Sequence, residues 1–193
     1  RQSSLSYEEL KQAVAWGERH LFEFADVPRI DNNTARVRIV LNQVDGALNL
    51  VDYLHQASQQ QRGIIGICLG MQLLTEQSCE LELTSGLGLI PGETVALKQS
   101  QWHIGWNNLE VQSDHPLLMP CDGEVMYFNH SFCYAGPNEM IASISRLQPG
   151  GDAIVAAIHR DHLIGLQFHP ESILTSHGHK LIENFLSCIN KNH

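Results

Sequence analysis

Gly63-Ile64-Ile65-Gly66-Ile67-Cys68-Leu69-Gly70-Met71-Gln72-Leu73-Leu74 joins an apolar run to a glycine-bracketed cysteine and then to a helical pattern. Its apolar, β-branched opening predicts a buried strand over residues 64–68, and the pattern beyond the cysteine predicts a helix over 69–77. Gly-x-Cys-x-Gly at a strand-to-helix junction is the thiol version of the nucleophile elbow. The turn is sharp, so a Cβ at either flanking glycine is expected to collide with the neighbouring strand or helix. The sulfur is expected at a helix N-terminus, where unpaired N–H groups and the helix dipole favour thiolate over thiol. A small buried cysteine in a glycine-rich turn would read the same way, so Cys68 needs partners elsewhere in the chain.

They stand in Gly165-Leu166-Gln167-Phe168-His169-Pro170-Glu171-Ser172. A second apolar strand, predicted over 163–168, stops at His-Pro-Glu. Proline cannot continue a ladder and presets φ, so His169 is held at the strand end. Glu171 is within reach of the far imidazole nitrogen, where a carboxylate fixes the tautomer and stabilises the imidazolium. Cys68, His169 and Glu171 therefore read as nucleophile, base and orienting acid.

Outward from these motifs, the chain reads as one α/β domain over residues 1–193, atypical in its first 44. Ser6 and Glu9 resemble a capping box opening a helix, residues 36–41 suit a strand, and 46–56 suit an amphipathic helix. Short strands are predicted over 95–97, 109–111, 125–128, 141–144 and 153–158, with a closing helix over 177–189. Strands interleaved with helices, and a β-rich insert between nucleophile and base, indicate a three-layer domain around a mixed, mostly parallel central sheet.

Composition narrows the function. With 193 residues, 43% apolar and 17% charged, the chain suits a soluble globular protein. A net charge of −9 with 12 Lys and Arg argues against a nucleic-acid backbone as partner. No apolar run reaches the roughly 20 residues of a membrane span, and no secretory signal pattern is present. Five widely spaced cysteines without a C-x-x-C pattern suit neither a disulfide framework nor a zinc site, so a reducing cytoplasm is expected. Neither metal nor cofactor is expected. The histidines at 159, 162, 177 and 179 have no Cys, Asp or Glu set at ligand spacing.

From about Asp45 onward the chain resembles the class I, triad-type glutamine amidotransferases. The nucleophile segment Gly66 to Gln72 carries the likeness, supported in order by Gly86-Leu87-Gly88-Leu89-Ile90-Pro91-Gly92, His103-Ile104-Gly105-Trp106-Asn107 and Tyr127-Phe128-Asn129-His130-Ser131-Phe132. Met71 between Gly70 and Gln72 is similar to the branch that provides ammonia for imidazole glycerol phosphate in histidine biosynthesis. The resemblance implies a glutaminase with Cys68, His169 and Glu171 as triad and the N–H of Leu69 in the oxyanion hole. It further implies that Gly70, Gln72, Ser131 and Phe132 meet the substrate glutamine. It implies a heterodimer with a cyclase subunit built as a (β/α)8 barrel, docked near Trp106.

Two departures from the family pattern carry consequences. The Pro-Gly loop that supplies the second oxyanion donor has no Pro-Gly counterpart in Ile39-Val40-Leu41-Asn42-Gln43-Val44-Asp45-Gly46, which implies an incomplete oxyanion hole and low or absent turnover. Ser172 stands where the histidine branch has lysine, as in the chorismate-using amidotransferases, whereas Met71 is unlike that group. A subunit of a chorismate-using synthase or of another amidation pathway, a catalytically inactive regulatory or docking module and a γ-glutamyl peptidase stay open as alternatives.

Overall fold

The computed structural model describes residues 50–80, 83–98, 100–147, 151–172 and 177–190. The expected capping box at Ser6, the strand over 36–41 and the loop over 39–46 lie outside them. The chain divides into two compact units, Arg1–Gln56 and Ala57–His193. The second contains every described strand and every candidate site residue.

Helix α1 (Leu50–Gln59) leads into β1 (Ile64–Ile67) and then α2 (Leu69–Leu74). The short strands β2 (Gln77–Ser78), β3 (Thr84–Ser85) and β4 (Glu93–Ala96) follow. Then come β5 (His103–Asn108), β6 (Glu110–Val111), β7 (Val125–His130) and β8 (Phe132–Ala135). β9 (Ile141–Arg146), β10 (Ala153–Arg160), β11 (Leu163–Leu166) and α3 (Gly178–Asn190) complete the described chain.

A five-stranded sheet runs in the order β1-β11-β10-β9-β6. Strand β1 lies parallel to β11, with Ile64 opposite Leu163 and Ile67 opposite Leu166. The other pairings, β11 to β10, β10 to β9 and β9 to β6, are antiparallel. The α/β class and the mixed sheet agree with expectation. The described part of this sheet is not mostly parallel, because β9, β10 and β11 follow one another in the chain and connect locally. A parallel neighbour needs a long crossover, whereas β10 returns into β11 through the tight turn Asp161–His162, with Asp161 at φ 53°. The β-rich insert forms the other two sheets, ordered β3-β2-β4-β8 and β5-β7.

Strand β11 is buried along its whole length, as its uninterrupted apolar run requires between two neighbours. Helix α2 covers β1 and β11 with Met71, which is almost wholly buried. Gly165 makes room for it: a Cβ there would stand 2.8 Å from Met71 Cγ and 2.9 Å from Ile158 Cγ1. The helix stops at Leu74 instead of reaching Gln77. Thr75 turns extended, and both its N–H and its hydroxyl donate to the Gln72 carbonyl, at 3.3 and 2.7 Å. That local hydroxyl bond competes with helix continuation.

Because β1 and β11 are parallel neighbours, their C-terminal ends lie side by side. In open α/β sheets that edge is where ligands are handled.

Candidate active site

Cys68 follows the end of β1 directly and adopts φ 51°, ψ −107°, outside the regions open to most L-residues. Its N–H donates to the Leu166 carbonyl at 2.7 Å, tying the turn at Cys68 to the end of β11. The two flanking glycines do different work. A Cβ on Gly66 would fall 2.5 Å from the Gly70 carbonyl oxygen and 2.8 Å from the Met71 nitrogen, so the turn closes only with glycine there. A Cβ on Gly70 would meet nothing within 4 Å. The expectation that both would collide is corrected at Gly70, which borders open space.

His169 comes three residues after β11. Its N–H donates to the Tyr127 carbonyl at 2.8 Å, anchoring the loop to β7, and Ser172 N–H closes a turn onto its carbonyl at 3.1 Å. The imidazole Nδ1 donates to Glu171 Oε1 at 2.7 Å. Nε2 is buried and has no hydrogen-bond partner among the described residues. Burial opposes the charged ring, but the Cys68 sulfur and the Glu171 carboxylate outweigh it and lift His169 to about 10. Burial would raise Glu171, and its bond to His169 overcomes that, so its carboxyl sits below the ordinary range.

The sulfur has two further polar neighbours, the Asn129 carbonyl at 3.8 Å and Gln167 Nε2 at 3.8 Å. Gln72 lies in α2 with its amide turned inward. Nε2 donates to the Phe132 carbonyl at 3.3 Å and to Gln167 Oε1 at 3.4 Å. The Phe132 carbonyl also accepts from His130 Nδ1 at 2.7 Å, and the Ser131 carbonyl accepts from Leu97 N–H at 3.0 Å. Leu69 is the first residue of α2. Residues 68–72, 131–132 and 167–171 therefore meet at one edge of the sheet.

Burial pushes His130 down to about 4, with the Phe132 bond opposing the shift and the nearby His103 and His169 adding to it. His103, buried beside it with Nδ1 at 2.9 Å from His130 Nε2, is lowered by the same burial. Gln167 and the β7 carbonyls at Tyr127 and Asn129 join the site without having been expected from the sequence. Gln167 had a visible signal, since it is a lone amide at the end of an apolar run. Main-chain carbonyls leave no such signal.

The sequence profile of the family Glutamine amidotransferase class-I matches residues 41–188. The chain belongs to the class-I glutamine amidotransferases. Among relatives of this amidotransferase, "Imidazole glycerol phosphate synthase subunit HisH" of Synechococcus elongatus is 37% identical over 146 residues, 72% of this chain and 66% of that one. A HisH of Ruegeria pomeroyi is 34% identical, covering 75% of this chain and 70% of its own. The chain thus spans just under two thirds of the Synechococcus relative. Among solved structures, PurLQS from Thermotoga maritima aligns with TM-score 0.57 at 18% identity, covering 79% of this chain and 74% of that one. A glutamine amidotransferase from the same organism aligns with TM-score 0.50 at 16% identity, over 86% and 62%. Those structural likenesses concern the fold.

Proposed function

We propose that this amidotransferase is the glutaminase subunit of an imidazole glycerol phosphate synthase, hydrolysing glutamine and passing the ammonia to a cyclase partner. One observation carries the reading. Cys68 and His169 follow the adjacent ends of the parallel strands β1 and β11, and Glu171 stands 2.7 Å behind the ring.

In this reading the Cys68 thiolate adds to the γ-carbonyl carbon of glutamine, and the N–H of Leu69 receives the developing oxyanion. His169, charged near neutrality, gives its Nε2 proton to the departing nitrogen, so ammonia leaves and a glutamyl thioester is left on Cys68. The neutral ring then takes a proton from water, whose oxygen attacks the thioester. Glutamate departs and the thiolate is restored. Glu171 holds the Nδ1 proton throughout and leaves Nε2 to the reaction. Gly70 borders space for substrate, and Gln72, Ser131 and Phe132 form the wall beside it.

Ammonium has no lone pair for attack, so the product is useful only if it travels neutral to a second site. The face of β5 and β7 supports a docked partner. Ile104, Trp106 and Val125 are exposed there at 58%, 40% and 43%. Trp106 packs on Tyr127, whose ring lies 6.2 Å from that of His169. Apolar surface of this kind marks interaction sites. The HisH relatives, named as synthase subunits, support a synthase partner, which in this reading is a (β/α)8-barrel cyclase in a heterodimer. A reducing cytoplasm suits the unpaired Cys68, Cys79, Cys121 and Cys133.

Glutamate release by the purified chain, with and without the cyclase subunit, tests the proposal. Slow release alone and strong stimulation by the partner are expected. Fast partner-independent release, or cleavage of γ-glutamyl peptides in its place, would contradict it.

A further inference from the structure

Gln167 is wholly buried, and no step of the mechanism above uses it. Its N–H donates to the Ala156 carbonyl at 2.8 Å, which holds the backbone just beyond β11. Its side chain bridges Gln72 and the Cys68 sulfur, at 3.4 and 3.8 Å. A buried amide that can reach no water must find partners within the protein.

The order of donors along this bridge fixes which way each amide points. The Phe132 carbonyl can only accept, so Gln72 must turn its NH2 toward it. The same NH2 has a second hydrogen, which goes to Gln167, so Gln167 presents its oxygen to Gln72. The Gln167 NH2 is then left facing the sulfur. The His130 Nδ1–H, 2.7 Å from the same Phe132 carbonyl, steadies the start of the chain.

At the sulfur this donor meets an opposing neighbour. The Asn129 carbonyl, 3.8 Å away, can only accept, and therefore favours the protonated thiol. An N–H aimed at sulfur favours the thiolate. The titratable groups around Cys68 among the described residues are His169 with Glu171 behind it, and beyond them His130.

We propose that Gln167 is a hydrogen-bond donor to the Cys68 thiolate, oriented through Gln72 by the Phe132 carbonyl, and that it offsets the Asn129 carbonyl in readying the nucleophile. The inference rests on Cys68 being the nucleophile proposed above. Its test needs no glutamine and no partner, so it can fail or succeed independently of glutaminase activity.

The rate of Cys68 alkylation by iodoacetamide is measured against pH on the full chain, with mass spectrometry resolving each cysteine. Gln167→Met keeps the length and removes the donor. Its alkylation midpoint is expected about one pH unit higher, with roughly tenfold slower reaction at neutral pH. Gln167→Glu, which turns an acceptor toward sulfur, moves the midpoint at least as far. Continued protection of the buried Cys121 reports that each variant is folded. An unchanged or lowered midpoint in a folded variant overturns the proposal. Should neither variant fold, the side-chain amide resonances of Gln167 in the unaltered chain decide. They are expected to titrate with the Cys68 alkylation midpoint and to stop doing so in Cys68→Ser. Resonances indifferent to that midpoint overturn the proposal.

Discussion

Cys68 holds a backbone conformation at φ 51°, in a turn that closes because Gly66 carries no Cβ. Gly66→Ala forces a methyl within 2.5 Å of the Gly70 carbonyl, a backbone atom that cannot move aside cheaply. A loss of about 1–3 kcal/mol is expected in urea denaturation, as for other overpacked sites. Gly70→Ala meets open space, and alanine suits a helix better by about 1 kcal/mol. That variant should keep or raise stability while glutamine turnover falls, and a matching loss of stability would remove the distinction. The glycine pair was legible in the sequence as a motif. Its asymmetry was not, because two glycines placed symmetrically about a cysteine give no sign of which one faces backbone and which faces solvent. Cys68, His169 and Glu171 were legible for a different reason: thiol, imidazole-proline and carboxylate are chemically distinctive residue types at element ends.

Strand β7 ties the site together as an element. Its carbonyls at Tyr127 and Asn129 contact His169 N–H and the Cys68 sulfur. Its outer face, paired with β5, exposes Ile104 opposite Asn129 and Trp106 opposite Tyr127. A partner pressing on this face would bear on the strand that contacts both Cys68 and His169. Ile104→Asp, at a 58% exposed position, should change stability by no more than about 0.5 kcal/mol. It should also abolish stimulation of glutamate release by the cyclase, and undiminished stimulation would exclude this face from docking. β5 itself went unread as a strand. Its inward positions are His103, Gly105 and Asn107 and its outward ones Ile104 and Trp106, so its hydrophobic alternation is inverted relative to burial. Apolar alternation identifies a strand but does not say which face is covered by another protein.

For the molecule as a whole, the titrating histidines bound stability from two sides. Folding raises His169 from its ordinary 6.5 to about 10, so between those values the folded chain binds more protons than the unfolded one. Stability from this source is complete below about pH 6.5 and is lost as pH rises toward 10, by at least about 1 kcal/mol. His130, lowered to about 4, acts oppositely: the unfolded chain binds more protons, and stability falls as pH drops from 6.5 toward 4. Denaturation midpoints should therefore decline on both sides of near-neutral pH. His169→Gln should flatten the alkaline limb and Cys68→Ser should shrink it, whereas an alkaline limb unchanged in both would contradict the coupling of ring and sulfur. The α/β class was legible because strand and helix periods are local. The antiparallel run from β11 to β6 was less so, since pairing direction depends on how connections close in space. Intact-mass and peptide analysis after exposure to a diazo-ketone glutamine analogue, with the cyclase partner present, tests whether Cys68 and His169 act together. A single adduct on Cys68 that disappears in His169→Asn is predicted. An unlabelled chain, or an adduct on another cysteine that persists without His169, would contradict it.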